Sequence, residues 1–247
     1  MQKKVIDINC DVGEGIGNEA LIFPFISSCN IACGGHAGDA HSMREMVQLA
    51  KKNKLKIGAH PSYPDKLNFG RVHMQMSKAK FRESIQEQLA ALDATLLQEE
   101  VAMHHIKAHG ALYNDLAGDP RLASEFLKNI APYKQQCYLY VPYGSAIATE
   151  ATRYGFNFLY EAFGDRAYTN NYSLAPRRLA GAVIEDPDTV LRQLLLMIRE
   201  QKVRTLNGSD IPMEAHTFCI HGDTPSALQI LMYLAGELPK YGIYLKE

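Results

Sequence analysis

Short apolar runs rich in β-branched residues alternate along the chain with longer stretches of helical periodicity. Each apolar run ends in polar or titratable residues, and a helical stretch follows it. Strands that alternate with helices pair in parallel, because each helix returns the chain to the same end of the sheet. The pattern predicts seven strands, over residues 4–11, 29–34, 55–60, 102–109, 137–142, 156–163 and 217–223.

Capping signals predict where five of the helices begin. Asp39 precedes one helical stretch, and Ser77 precedes a long one that continues through Glu99. Residues 164–185 fit the repeating unit poorly and are predicted to form a long active-site loop. Three more helices are expected where proline takes the first helical position after a capping residue, at Asp119-Pro120, Asp186-Pro187 and Thr224-Pro225.

The number of these units indicates the fold class. Seven strand–helix units in about 250 residues favour an α/β fold, a closed or nearly closed parallel β/α barrel like the TIM barrel. An open, doubly wound sheet is the structural alternative. The sequence contains no linker, low-complexity tract or charge block that would mark a domain boundary. Residues 1–247 are therefore predicted to form one domain, a seven-stranded β/α barrel.

Composition narrows the function classes. Lysine and arginine total 26 and aspartate and glutamate total 27, and this near-neutral balance argues against a nucleic-acid or membrane-surface binder. No apolar stretch approaches the roughly 18 residues of a membrane helix, and Asp7 and Asp11 interrupt any export signal. The five cysteines include no CxxC pair and lie in or beside apolar runs, which predicts buried, reduced thiols in a cytoplasmic protein: Cys10, Cys29, Cys33, Cys137 and Cys219.

Titratable side chains gather where the predicted strands end. In a parallel β/α barrel the active site lies at the carboxyl ends of the strands and in the loops that follow them. Six segments that are distant in sequence each deliver a charged or imidazole group to this end. In chain order these groups are Asp11, Glu14, His36, Asp39, His60, Lys107, His109, Glu161, Asp165, Arg166, His221 and Asp223.

Strand alternation indicates which of these side chains face inward. Asp7, Asn9 and Asp11 share one face of the first strand, and in a barrel covered by helices that face points to the barrel axis. Asp7 lies deepest and is predicted to be buried and hydrogen-bonded. His105 and His109 share a face of the fourth strand, but four strand residues span about 13 Å, which is too far for one metal ion.

Three further chemistries bear on this end of the barrel. A divalent metal held by Asp11, His36 and His60 is chemically sensible, although isolated histidines more often serve as acid–base or hydrogen-bonding groups. The glycine-rich segment 13–17 lacks the third glycine of a dinucleotide loop, where Asn18 stands, and favours a flexible active-site loop. Neither a GxxxxGK[ST] phosphate loop nor a GxSxG elbow occurs.

The motifs around these residues closely resemble the LamB/YcsF family. They occupy residues 7–17, 28–39, 57–65, 69–71, 105–114, 161–168, 177–184 and 219–223 and so extend along the whole chain. The chain departs from the family pattern at Val72, Ala108 and Gly164, where a second arginine, a proline and an alanine are usual. None of these departures removes a group that we expect to be essential.

The resemblance implies a fold and a reaction. Family members are the A subunits of bacterial ATP-dependent 5-oxoprolinases, β/α barrels related to polysaccharide deacetylases and typically seven-stranded. The implied reaction converts 5-oxo-L-proline, ATP and water into L-glutamate, ADP and phosphate, together with subunits B and C. ATP would be a co-substrate of the complex, and a homo-oligomer is also compatible with the sequence.

The implied reaction requires a base for water, a proton donor for the ring nitrogen, and cations for the carboxylate and phosphate. Asp11 or Glu14 is the expected base, and His60 or His109 the expected donor. Asp165 or Asp223 is expected to orient a histidine, so the predicted catalytic set is Asp11, Glu14, His60, His109 and Asp165. The predicted substrate-binding set is Asn9, His36, Arg71, Lys107, Arg166, His221 and Asp223, in which Lys107, Arg71 and Arg166 bind anions.

Two other function classes compete with this one. A stand-alone metal-dependent deacylase acting on a sugar or an amide would use the same barrel, and it would need bound metal but no ATP. A scaffold barrel that only carries substrate for its partners would need neither. The clustered carboxylates and imidazoles speak against the scaffold.

Overall fold

A computed structural model describes residues 3–246 and contains a closed ring of parallel strands. Ten strands are present: β1 (Lys4–Val12), β2 (Ser28–Ala32), β3 (Lys56–His60), β4 (His105–Ile106), β5 (Tyr138–Pro142), β6 (Phe158–Phe163), β7 (Lys202–Arg204), β8 (Asp210–Pro212), β9 (Thr217–Cys219) and β10 (Ile243–Leu245). The ring runs β1-β2-β3-β4-β5-β6-β9 and closes by pairing β9 with β1. The predicted seven-stranded parallel barrel is thus confirmed, and the open sheet is excluded.

Helices cover the outside of the ring: α1 (Glu19–Ile22), α2 (Ala40–Lys52), α3 (Lys78–Gln98), α4 (Gly110–Gly118), α5 (Pro120–Asn129), α6 (Ala146–Tyr154), α7 (Pro187–Glu200) and α8 (Ala227–Glu237). Short 3-10 turns occupy Phe23–Phe25, Ala131–Tyr133 and Leu238–Tyr241. Asp39, Ser77, Asp119 and Asp186 each accept a backbone hydrogen bond from the first turn of the helix that they precede. Four of the five predicted helix starts are therefore confirmed.

The fifth predicted helix start is wrong. Helix α8 begins at Ala227 rather than Pro225. The hydroxyl of Thr224 does not cap this helix, because it donates to the buried carboxylate of Asp165 at 2.8 Å. Strand β9 also ends at Cys219, so residues 220–223 of the predicted strand belong to the loop that carries His221.

The fourth predicted strand is also much shorter than expected. Only His105 and Ile106 pair with both neighbouring strands, and the chain enters α4 directly after His109. Gly110 makes this turn possible because it adopts a positive φ of 57° and lies against the backbone of Gly70, where a Cβ atom would come within 2.6 Å of the carbonyl oxygen. His109 thus stands at the beginning of a helix, not at the end of a strand.

The inward face of β1 carries polar side chains, as predicted. The Asp7 carboxylate accepts hydrogen bonds from the hydroxyls of Ser28 and Thr217, both at 2.7 Å, and from Lys56 at 2.8 Å. Asp7 is 6% exposed, which confirms its predicted buried structural role. The opposite face of β1 packs under the helices through Ile6, Ile8 and Cys10.

Three features outside the ring complete the fold. The antiparallel pair β7–β8 forms a separate two-stranded sheet, and β10 pairs with the first half of β1. Residues 164–185 contain neither helix nor regular strand, as predicted, and short bridges such as Arg166–Val183 hold this loop. The five cysteines are free and buried. Among residues 3–246, none of the helices has both the length and the apolar character needed to span a membrane.

Candidate active site

A cavity of about 410 Å³ opens at the carboxyl ends of the barrel strands. Its volume falls within the range of small-molecule sites, about 300–1,000 Å³. Nine of the twelve predicted site residues line it: Asp11, Glu14, His60, Arg71, Lys107, His109, Arg166, His221 and Asp223. The other three, Asn9, His36 and Asp165, lie behind this lining and contact residues that form it.

A buried lysine occupies the floor of the cavity. The Lys107 ammonium lies 2.9 Å from Asp11 Oδ1 and 2.9 Å from Glu161 Oε1, and the lysine side chain is 2% exposed. Burial opposes the charge on Lys107, but Asp11, Cys219 and Glu161 outweigh it and raise the lysine pKa well above its usual value.

The same pairing keeps Asp11 ionised. Burial alone would raise the pKa of the Asp11 carboxyl, but its interactions with His60 and Lys107 hold that pKa well below its usual value. Beneath Asp11, the Asn30 amide donates to Asp11 Oδ1 at 2.7 Å and to Asn9 Oδ1 at 2.8 Å. Asn9 is fully buried. It supports the floor of the cavity from below, whereas the sequence predicted it in contact with substrate.

Three histidines and a glutamate cluster beside this lysine. His60 Nε2 lies 3.0 Å from His109 Nδ1, and His36 Nε2 lies 2.9 Å from Glu14 Oε1. The rings of His36 and His109 stack in parallel with centroids 3.6 Å apart. Burial lowers the pKa of both His36 and His109, so these two rings favour the neutral form.

The outer nitrogens of two rings have fixed hydrogen-bond roles. His60 Nδ1 lies 2.8 Å from the carbonyl oxygen of Lys107, and His109 Nε2 lies 3.0 Å from that of Phe69. A carbonyl oxygen only accepts hydrogen bonds, so each of these nitrogens carries the hydrogen. When both rings are neutral, the two inner nitrogens that face each other therefore carry lone pairs.

A fourth histidine of the site, His221, is held in place by the carboxylate of Asp165. His221 Nδ1 lies 2.9 Å from Asp165 Oδ1, and the backbone N–H of His221 donates to Asp165 Oδ2 at 2.9 Å. Asp165 is completely buried, and burial opposes its ionised form, but the positive charge and hydrogen bonds of His221 lower its pKa below the usual value. Asp165 was predicted as a catalytic or histidine-orienting residue, and its position matches the second role because it reaches the cavity through His221.

Arginines also line the cavity. Asp223 contacts both Arg71 and Arg177, with a distance of 3.3 Å to Arg177 Nη2, and so holds two guanidinium groups at the cavity. Burial opposes the ionised form of Asp223, but Arg177, His221 and Arg71 keep its pKa below the usual value. Arg166 lines the cavity too, and it donates to the carbonyls of Ala182 and Ala175 in the long loop.

Sequence reasoning missed two residues of the site, Arg177 and Tyr113, and it placed a third, Glu161, at the site without a role. Arg177 lies in the long loop, and no strand-end signal marks it. Tyr113 lies one helical turn after His109 on α4 and lines the cavity, and burial together with Glu161 raises its pKa well above the usual value. Glu161 stands at a predicted strand end, but its position there indicated no particular role. Following the helix after His109 by four residues would have found Tyr113.

Comparison with solved structures identifies the fold class. The structure resembles a family 4 carbohydrate esterase from Streptomyces lividans with a TM-score of 0.50 and 11% identity, covering 100% of this chain and 94% of that one. At this level of identity the likeness establishes the β/α-barrel fold alone.

The sequence comparison is more specific. The profile of the LamB/YcsF family matches residues 6–247, and the chain belongs to that family. A protein from Shouchella clausii, named as the A subunit of 5-oxoprolinase, is 42% identical over 98% of this chain and 97% of its own length. One with the same name from Pyrococcus furiosus is 37% identical, covering 96% and 95%. A crystal structure of a lactam utilization protein from Thermus thermophilus has a TM-score of 0.90 and 35% identity, covering 98% of this chain and 99% of that one.

Proposed function

We propose that this chain is the A subunit of an ATP-dependent 5-oxoprolinase, which opens 5-oxo-L-proline to L-glutamate together with partner subunits B and C. The names of the relatives support the substrate class and the multi-subunit assembly. The observation that carries the proposal is the cavity itself, which is lined by carboxylates, imidazoles and arginines together. A small cyclic amide with a carboxylate fits such a site.

The coupling to ATP follows from the chemistry of the substrate. A five-membered lactam is an unstrained amide and a poor electrophile, and phosphorylation of its oxygen would make the ring carbon open to attack by water. The sequence contains no phosphate-loop motif. We therefore assign the phosphorylation to the partner subunits and the hydrolysis of the activated ring to this barrel.

The geometry suggests how the side chains divide the work. Arg71 and Arg177 bind the carboxylate or the phosphate, since guanidinium groups suit both. His221, oriented by Asp165, transfers the proton between water and the ring nitrogen. Asp11 is too strongly held in its ionised form to be an effective base, so its charge orients Lys107 and the neighbouring imidazoles. Glu14 remains the alternative base on the same wall.

The test reconstitutes the complex and measures ATP hydrolysis and glutamate release. We expect glutamate only when this chain, its partner subunits and ATP are all present. His221→Asn should reduce glutamate formation by about 100-fold or more, the usual range for a proton-transfer group. His41→Asn is the matched control, because the His41 side chain is 82% exposed on α2. Lack of glutamate from the complete wild-type complex would refute the proposal.

The second candidate function is metal-dependent deacylation of a sugar or an amide. The observation that supports it is the cluster of histidines and a glutamate, because these side chains can bind a metal ion. That function predicts hydrolysis by the chain alone, without ATP or partners. The same reconstitution therefore separates the two functions, because the oxoprolinase requires ATP and the deacylase does not.

A further inference from the structure

Three donor atoms converge at one point on the wall of the cavity. Glu14 Oε1 lies 3.4 Å from His109 Nδ1 and 3.9 Å from His60 Nε2, and the two ring nitrogens are 3.0 Å apart. The point equidistant from three atoms at these separations lies about 2.0 Å from each of them. Zinc bonds to histidine nitrogen and carboxylate oxygen at about 2.0–2.2 Å.

The hydrogen bonds around the three residues leave their inner atoms available to a cation. The outer nitrogens of His60 and His109 donate to backbone carbonyls, so in the neutral rings that metal binding requires, both inner nitrogens direct lone pairs toward each other. Glu14 adds a carboxylate oxygen. Three electron-rich atoms in contact repel one another unless a cation lies between them. Histidine ligands to metals commonly have their second nitrogen bonded to a carbonyl in this way.

The charges around the cluster also call for a cation. Lys107 is shared by two carboxylates, Asp11 and Glu161. The Glu14 side chain is only 4% exposed, and its ion-pair partners among residues 3–246 are imidazoles. A buried carboxylate without a compensating positive charge is costly. A dication beside Glu14 would supply that charge.

His36 belongs to the second layer of this cluster. Its ring stacks on that of His109 with an angle of 3° and centroids 3.6 Å apart, so one ion cannot lie in the planes of both rings. His36 Nε2 instead contacts Glu14 Oε1, and it does not line the cavity. Its role is then to orient the carboxylate that binds the metal.

We propose that Glu14, His60 and His109 bind one divalent transition-metal ion, with zinc the best match to the donor set. Two histidines and one glutamate form a known catalytic zinc arrangement, which leaves a further coordination position open. All three ligands line the cavity, so that open position faces the substrate space. The metal would lower the pKa of a water bound there. This set shares His60 with the group predicted from the sequence, but Glu14 and His109 replace Asp11 and His36.

Metal binding is testable without substrate, ATP or partner subunits, so the result does not depend on the proposed reaction. The purified chain is treated with a chelator, dialysed and titrated with zinc chloride in a calorimeter. We expect one zinc ion per chain, and at 100 times the dissociation constant the melting temperature should rise by about 5–10 °C. Cobalt(II) should give a visible absorption band that zinc displaces.

Variants identify the ligands. Glu14→Gln preserves size and should weaken zinc binding by about 100-fold or more, as should His109→Ala. His36→Ala should weaken it by about 10- to 100-fold with the stoichiometry unchanged, as expected for an orienting residue. The controls are His41→Ala on the exposed surface and His221→Ala, which removes a histidine of the same cavity. Both should retain wild-type affinity.

Two results would overturn the proposal. The first is a folded wild-type chain that shows no saturable zinc binding and no cobalt band. A proton, rather than a metal ion, would then lie between the two inner nitrogens of His60 and His109. The second is binding that survives Glu14→Gln and disappears in His221→Ala, which would move the metal to the neighbouring group Asp11, Cys219 and His221. Circular dichroism of each variant establishes that loss of binding is not loss of fold.

Discussion

Asp165→Asn is expected to disable His221 without removing it. The Asp165 carboxylate accepts three hydrogen bonds, from the His221 backbone N–H at 2.9 Å, His221 Nδ1 at 2.9 Å and the Thr224 hydroxyl at 2.8 Å. An asparagine has one accepting oxygen, and its amide nitrogen would have to face a donor. The imidazole then turns or changes tautomer, which places a hydrogen on the nitrogen that should accept the proton from water.

The structure allows the size of the effect to be worked out. Loss of one charge-assisted hydrogen bond in a buried site costs about 1.5–3 kcal/mol, and for a chain of this size 1 kcal/mol lowers the melting temperature by about 2–4 °C. We therefore expect a fall of about 3–12 °C. Turnover should drop by about 100- to 10,000-fold, the range for a misplaced acid–base group.

The pH dependence of stability provides a further test. The folded-state pKa of Asp165 is below its unfolded value, so its stabilising effect is present above about pH 4 and is lost as the pH falls through the folded pKa. Asparagine does not titrate. The difference in melting temperature between wild type and Asp165→Asn should therefore shrink as the solution is acidified.

The assay combines three measurements on the same preparations: turnover of the reconstituted complex, thermal melting, and the histidine tautomer by nitrogen-15 NMR. Asp188→Asn is the matched control, since Asp188 is 51% exposed and forms a surface ion pair worth about 1 kcal/mol or less. An Asp165→Asn chain with wild-type turnover and an unchanged His221 tautomer would contradict the assignment of Asp165 as the orienting residue.

Three more substitutions probe other parts of the site. Lys107→Met leaves buried carboxylates such as Asp11 unpaired and should lower the free energy of unfolding by about 3–5 kcal/mol, measured by urea denaturation; an unchanged midpoint would argue against the buried pair. Gly38→Ala should cost about 2–3 kcal/mol, because Gly38 has a φ of +86° and a Cβ there would lie 2.3 Å from a backbone oxygen; wild-type melting would refute this. Asp223→Asn frees two arginines and should raise the KM for the anionic substrate about tenfold with little change in melting temperature; an unchanged KM would show that those arginines do not bind it.

The barrel could be predicted because its information is local. Each strand is a short apolar run, and each of four helices begins at a capping residue whose side chain bonds the first turn. The three-residue strands β7, β8 and β10 carry too little pattern to be recognised. Strand β4 was overextended because alternation continues through His109, while the turn at Gly110 depends on a contact with the distant residue Gly70.

The sequence predicted which residues gather at the site, but it did not predict which of them are in contact. Strand ends indicated the histidines and carboxylates. The stacking of His36 on His109, which separates a metal ligand from its supporting residue, depends on ring orientation that no spacing encodes. Arg177 reaches the cavity because the long loop folds back over the barrel. Only the tertiary structure provides such a contact.

The seam between the first and last ring strands has a consequence for synthesis of the protein. Asp7 and Thr217 are 210 residues apart, yet they bond across this seam. A ribosome adding about 5–20 residues per second needs about 10–40 s to cover that distance. Throughout this time the acidic inner face of β1 stays in water, and the emerging chain exposes unpaired strand edges. We expect the nascent barrel to depend on chaperone protection until its final segment leaves the exit tunnel.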